Sequence, residues 1–134
     1  MGGLGFDWTL AGERLEARHV FHESFQGAPG IVHGGIVAAV LDEACGQVAR
    51  LATSPAVTSR LEIRYLAPVP VDQELKVGAE IVESGGRSAV AEATIQDDSG
   101  FLLAHARAEC VHVRPEYFLS TPQGRALGTD WLPT

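Results

Sequence analysis

Cysteine is scarce. The 134 residues hold two, Cys45 and Cys110, with no CxxC spacing. Both fall in apolar runs, so buried thiols are expected rather than redox or metal chemistry. Basic residues are also short, 10 Lys and Arg against 17 Asp and Glu, for a net charge of −7. Nucleic acid needs a basic face, so this balance argues against that partner class, and any phosphate contact must come from local arginines. No apolar run reaches the ~20 residues of a bilayer span. The opening MGGLGFDWTL has neither the basic nor the apolar region of a secretory signal. A cytoplasmic protein with no membrane partner is expected. His19, His22, His33, His105 and His112 show no HxxxH or Cys/His pairing, so no metal is expected. The absence of GxSxG disfavours serine-hydrolase chemistry.

Against those absences stands one dense stretch, GIVHGGIVAAVLDEACGQVARL at 30–51. The small-residue turn His33-Gly34-Gly35 opens it. Residues 36–41 are all apolar, and Ala44, Cys45, Val48 and Ala49 follow. Too long for an ordinary strand and free of internal proline, the run predicts a helix. Apolar nearly all round, it predicts a buried one. Asp42 and Glu43 interrupt its middle. Helix neighbours point ~100° apart, so these acids cannot share an environment, and at least one faces something other than water.

Residues 14–26 alternate loosely, with Leu15, Ala17, His19, Phe21, Glu23 and Phe25 on one parity, and predict a strand. Residues 1–13 hold at most one short strand. Beyond a turn at 53–57, residues 58–66 set Leu61, Ile63 and Tyr65 against Arg60, Glu62 and Arg64. That predicts a strand with one wet face carrying solvated arginines. Pro68 and Pro70 make 67–72 a connector. Strands follow at 74–84 and 87–97, joined by a Gly85-Gly86 hairpin, and at 101–113. Ala104, Ala106, Ala108 and Cys110 form a small-residue face that a helix can approach closely. Residues 114–134 read as an extended or partly ordered tail laid over a neighbouring surface.

One domain results, with its core at about 14–113: a strand, the helix, then four strands in hairpin-like sequence. The fold class is α+β, an antiparallel sheet of five to six strands wrapped around one long central helix. Open sheet edges point to a homodimer with sheets joined edge to edge.

The run PGIVHGGIVAAVLDEACG resembles the HGG-(six residues)-D signature of hot-dog-fold acyl-CoA thioesterases, especially the PaaI-like group. FQGAPG before it, AVTSRLEIRYLAPVP after it and GGRSAV at the later turn extend the resemblance over roughly 18–113. The resemblance implies hydrolysis of an acyl-CoA to free acid and CoA without a cofactor, in a homodimer or a homotetramer built as a dimer of dimers. It implies Asp42 as the catalytic carboxylate, either general base on water or nucleophile. A backbone N–H of Gly34 or Gly35 would polarise the thioester carbonyl. Thr58 falls where one branch places a Thr that holds the attacking water, and His33 shapes the turn. Arg87 and Ser88 fall where relatives contact pantetheine or the nucleotide phosphates. One position departs from the pattern. Several relatives carry Asn or Gln six residues before the His, where this chain has Gly27. Gln26 is the substrate-binding candidate in its place, through a one-residue loop shift.

The residue types suit that chemistry. Thioester hydrolysis needs a base or nucleophile and donors for the developing oxyanion. A helix N-terminus presents N–H groups without intrahelical partners at the positive end of its dipole. Glycines there let a substrate come close, and burial of an Asp raises its pKa and basicity. Asp42 lies eight residues past Gly34, ~12 Å along the axis. One carbonyl cannot touch both, so if both act they come from different subunits. A non-catalytic acyl-CoA sensor and a dehydratase or hydratase on the same fold are the competing readings. The acyl group is not legible.

Overall fold

A computed structural model of the chain describes residues 6–53, 56–114, 116–117 and 121–123. The apolar run forms one helix, α1 (Gly34–Ala52), which ends where Thr53 turns extended at φ −147°. Val37, Val40, Leu41, Ala44, Cys45, Val48 and Ala49 are buried, a single stripe at helical spacing. The expectation of burial nearly all round is therefore corrected. Ala39 and Leu51 are exposed, and Asp42, Glu43, Gly46 and Gln47 are half-buried along the opposite side. A sheet can cover only one side of a helix, and this chain supplies no second layer among the described residues.

That sheet has six antiparallel strands: β1 (Thr9–Ala11), β2 (Arg14–Val20), β3 (Ala56–Tyr65), β4 (Glu74–Gly85), β5 (Ser88–Gln96) and β6 (Leu102–His112), in the order β1-β2-β4-β5-β6-β3. The hairpins β4–β5 and β5–β6 match the turn residues that predicted them. The hairpin-like sequence fails between β3 and β4. The Pro68–Pro70 stretch does not fold back but runs past the start of α1. Val32 donates to Val69 O at 2.8 Å, and Ile31 bridges Pro70. Pinned there, the chain crosses over so that β4 pairs with β2, while β3 ends on the far edge beside β6. The strand expected over 14–26 also stops early. Nδ1 of His22 accepts the Ser24 N–H at 3.0 Å and opens a short 3-10 turn, Glu23–Phe25.

Strand parity decides the core. Leu75, Val77 and Ala79 of β4, Ala89, Ala91, Ala93 and Ile95 of β5, and Ala104, Ala106, Ala108 and Cys110 of β6 all point inward and are buried. The row of alanines lets α1 lie close, and Phe21, Leu41, Leu75 and Ile95 fill the remaining space. The outer face is charged and paired: Arg107 reaches Glu83 and Glu92, and Arg60 reaches Glu62 and Glu109, at 3.4–3.9 Å. Exposed pairs of this kind contribute little each.

β3 departs from its expected one wet face. Apart from half-covered Ala56 and Ile63 its residues are exposed on both faces, with Val57 at 39%, Leu61 at 36% and Tyr65 at 55%. A ten-residue edge strand with one unpaired ladder side and exposed apolar groups is a template for another strand. The tail expected at 114–134 lies mostly outside the described residues.

Candidate active site

The turn before α1 is built from tight backbone contacts. Gly27 donates to Ile31 O and His33 donates to Phe25 O, both at 2.8 Å, and Gln26 bridges Val32. A Cβ at position 27 would stand 3.3 Å from the His33 Cα, so this loop is closed down around a glycine. Gln26 is exposed, and its Oε1 accepts the Gly30 N–H at 2.9 Å. Its side-chain carbonyl thus braces the turn and leaves the amide N–H groups for other contacts.

His33 is the N-cap of α1. Its Nδ1 accepts the Gly35 N–H at 2.9 Å, which assigns the ring proton to Nε2. Its carbonyl accepts from Ile36 at 2.9 Å and Val37 at 3.1 Å. Three of the first four helix donors are thereby used. The Gly34 N–H has no partner among the described residues. Of the two glycines that sequence offered as oxyanion donor, Gly35 is occupied and Gly34 is free. Tyr65, which sequence reasoning treated only as a strand residue, closes the other side of the turn. Its hydroxyl donates to Gly34 O at 2.8 Å. Ile31, Gly34, Val37, Tyr65, Leu66 and Pro68 line an open cleft of about 420 Å³ beside it.

Asp42 sits two turns further along, half-buried instead of buried. Thr58 donates to its Oδ1 at 2.8 Å from β3. The Thr58 hydroxyl also lies against the thiol of Cys110, its partner in the β3–β6 ladder. Burial raises the pKa of Cys110 and pushes that of Cys45 up to about 12, so the sulfurs beneath the carboxylate stay protonated and chemically quiet. Glu43 points elsewhere, bonded to Gln47 at 2.7 Å and near Arg50 at 3.9 Å. The two adjacent acids do occupy separate environments.

Register places the remaining candidates. Ser88 faces Val111, which faces Val57 on its other side, so Ser88 lies about 10 Å, two strand spacings, from the residue before Thr58. The exposed Arg87–Ser88 turn therefore occupies the same end of the sheet as Asp42. Arg87 O is held by the His112 N–H at 2.7 Å, and Ser88 Oγ donates to Gly85 O at 3.3 Å. Tyr65 and Gly34 belong to the opposite end of β3, roughly 23 Å of strand from Thr58. A single chain thus carries two hydrogen-bonded groups of candidate residues, Thr58 with Asp42 and Tyr65 with Gly34, and does not bring them together. Among the described residues no three His, Cys, Asp or Glu are grouped to hold a metal ion, and no helix is long and apolar enough to cross a membrane.

Comparison with known proteins agrees with this architecture. The mouse (Mus musculus) acyl-coenzyme A thioesterase THEM4 is 33% identical over 119 residues, covering 85% of this chain and 51% of the mouse protein. The chain thus spans about half the length of that relative. A hypothetical thioesterase from Streptococcus pneumoniae, solved with coenzyme A, superimposes with a TM-score of 0.75 at 20% identity, covering 83% of this chain and 88% of the other. The PaaI protein of the Escherichia coli phenylacetic acid degradation operon gives 0.75 at 19% identity, covering 83% and 81%. Both share the hot-dog fold. The family model for the thioesterase superfamily matches residues 29–104, from the turn before α1 into β6 and more than half of the sequence. The chain belongs to the thioesterase superfamily.

Proposed function

We propose that this protein is a cytoplasmic acyl-CoA thioesterase acting as a homodimer, or as a tetramer of paired dimers. The observation that carries the reading is a carboxylate, Asp42, held by Thr58 on the same helix whose first N–H, at Gly34, has no partner among the described residues. The mouse relative bears the name acyl-coenzyme A thioesterase, and the pneumococcal one was solved with coenzyme A.

In this reading the thioester carbonyl rests on the Gly34 N–H of one subunit and faces Asp42 of the other. Asp42 takes a proton from water as the water oxygen bonds to the carbonyl carbon, and the Gly34 N–H receives the oxyanion. The C–S bond then breaks, the acid is released, and the CoA sulfur leaves with the proton. Direct attack by Asp42, through a mixed anhydride that water then opens, uses the same atoms. Thr58 fixes the carboxylate rotamer and stands beside the attacking water. Arg87 and Ser88, and the Gln26 amide, contact the CoA arm and the thioester. His33 holds the donor turn in shape.

The two-chain requirement follows from distance. Gly34 and Asp42 are ~12 Å apart along one helix, and a carbonyl reaches both only if two helices lie side by side. The exposed edge of β3 offers the joint. Antiparallel pairing of two β3 strands about an axis between Leu61 and Glu62 sets Thr58 of one chain beside Tyr65 of its partner, because both are equally far from that axis.

The test is thiol release from a panel of acyl-CoAs by the purified protein and by Asp42→Asn, with the mass in solution measured alongside. Turnover by wild type and its loss in the variant support the reading. Unchanged turnover in Asp42→Asn removes that residue from the chemistry. Tight acyl-CoA binding with no release on any substrate replaces the enzyme with a ligand sensor.

A further inference from the structure

A second cavity, distinct from the cleft beside Tyr65, lies on the β2 flank of α1. It encloses about 160 Å³ and is walled by Phe6, His19, Phe21, Phe25, Ile36 and Ala39. The strand side is aromatic: His19 meets Phe6 edge-on at 4.5 Å and Phe21 at 4.6 Å. The imidazole has no hydrogen-bond partner among the described residues, and burial lowers its pKa, so it stands neutral at pH 7. The walls thus carry no charge. A cavity of about 150 Å³ lined by Leu, Ile and Phe stays dry and admits benzene. Size and lining here suit one aromatic ring or a chain of about six carbons.

Position says what enters. Phe25, 43% exposed, and Ala39, also exposed, stand at the mouth. The Phe25 carbonyl holds the His33 N–H at 2.8 Å. Ile36 follows Gly34 by two residues, about 3 Å of helix rise. Ala39 precedes Asp42 by just under one turn. The mouth therefore lies along α1 between Gly34, which serves one site of the proposed dimer, and Asp42, which serves the other. The Ile36 wall thus belongs to the same first turn of α1 as the Gly34 N–H on which the thioester carbonyl rests in that reading.

We propose that this cavity is the acyl-tail site, and that the preferred substrates carry compact, uncharged acyl groups of about six carbons or one ring. The inference rests on the thioesterase reading above and narrows its substrate class.

Two measurements test it, one needing no turnover. S-hexyl-CoA, a thioether that cannot be hydrolysed, should bind wild type at least tenfold more tightly than S-methyl-CoA in calorimetry. Ala39→Leu, which fills the mouth from an exposed position, should erase that difference, and its melting temperature checks that it folds. In the thiol-release assay hexanoyl-CoA and benzoyl-CoA should exceed both acetyl-CoA and palmitoyl-CoA in kcat/KM. Ala39→Leu should lower the hexanoyl-to-acetyl ratio about tenfold, and Phe25→Ala should move the optimum to longer chains. Equal binding of the two thioethers by wild type overturns the acyl-tail site, as does a chain-length profile that neither variant moves, even if turnover is intact. Absence of release from every acyl-CoA overturns the enzyme reading instead, and the thioether comparison then decides the cavity alone.

Discussion

The Thr58 hydroxyl donates to Asp42 Oδ1 at 2.8 Å, joining the exposed edge strand β3 to the outer side of α1. The bond spans 16 positions in sequence and links the one half-buried Asp of the helix to the strand most available for a partner. Asp42→Asn should lower kcat about 10²–10⁴-fold, the usual range for a general base. Thr58→Ala should lower it about tenfold, since a hydrogen bond to a charged group contributes on the order of 1.5–3 kcal/mol. The double variant should be no worse than Asp42→Asn alone. Steady-state thiol release on all three checks this, and multiplicative losses would mean that Thr58 acts apart from Asp42.

Gly34 and Gly35 should part company on mutation. A Cβ at Gly34 meets the Tyr65 ring at 3.6 Å, an ordinary contact, whereas one at Gly35 comes within 3.1 Å of His33 Nδ1. Gly34→Ala should keep or raise the melting temperature while turnover falls at least tenfold, because the methyl crowds the free N–H. Gly35→Ala should lower the melting temperature by displacing the cap. Calorimetric scans with parallel assays separate the two.

The cap itself can be weighed. His33→Ala removes the acceptor for the Gly35 N–H and should cost about 1 kcal/mol, a fall of about 4 °C in melting temperature for a domain this size. His33→Asn, a strong N-cap residue, should recover most of it. Lack of recovery would mean that the imidazole serves the fold through something other than capping.

Acid stability has an identifiable contributor at the β5–β6 turn. The Ser99 hydroxyl, aided by the Phe101 and Ser99 N–H groups, holds Asp97 below its ordinary value of 3.8. A depressed folded-state pKa adds stability above the unfolded value, and that stability is lost as pH falls through the folded one. Asp97→Asn should therefore melt below wild type at pH 7, and the two curves should converge as pH drops below 3.8. Parallel melting curves across that window would contradict the assignment.

The two thiols should be silent in the native state. Cys45 is fully buried with its pKa pushed up to about 12, and Cys110 is buried beside it. A thiol reagent at pH 8 should label neither in native protein and both in denaturant. Rapid native labelling would show that α1 opens away from β6.

Much of this was legible in the residues. The helix over 34–52, the Gly85-Gly86 hairpin and the inward alanines of β5 and β6 follow from periodicity and turn chemistry, which act within a few positions of the chain. The HGG turn and the acid nine residues after His33 marked the helix end and the carboxylate. What local pattern could not reveal is where β3 goes. Its clean alternation suggests a half-buried strand, but a strand's covered face depends on which neighbour it receives, and here the pinned Pro68–Pro70 connector sends it to the open edge. Tyr65 was missed for the same reason, since no signal in its vicinity points to a carbonyl 31 residues earlier.

Composition, periodicity and the spacing from His33 to Asp42 determined that this chain builds one helix against an antiparallel sheet, with an acid and a donor turn on that helix. Those are local quantities, written in side-chain period and backbone preference. Only the tertiary structure decided that among the described residues the Gly35 N–H has a partner and the Gly34 N–H has none, that Thr58 holds Asp42, and that the Thr58–Asp42 and Tyr65–Gly34 pairs lie at opposite ends of β3. Each of these depends on ladder register and a crossover, and these are settled by the packing of the whole core rather than by any one stretch of sequence.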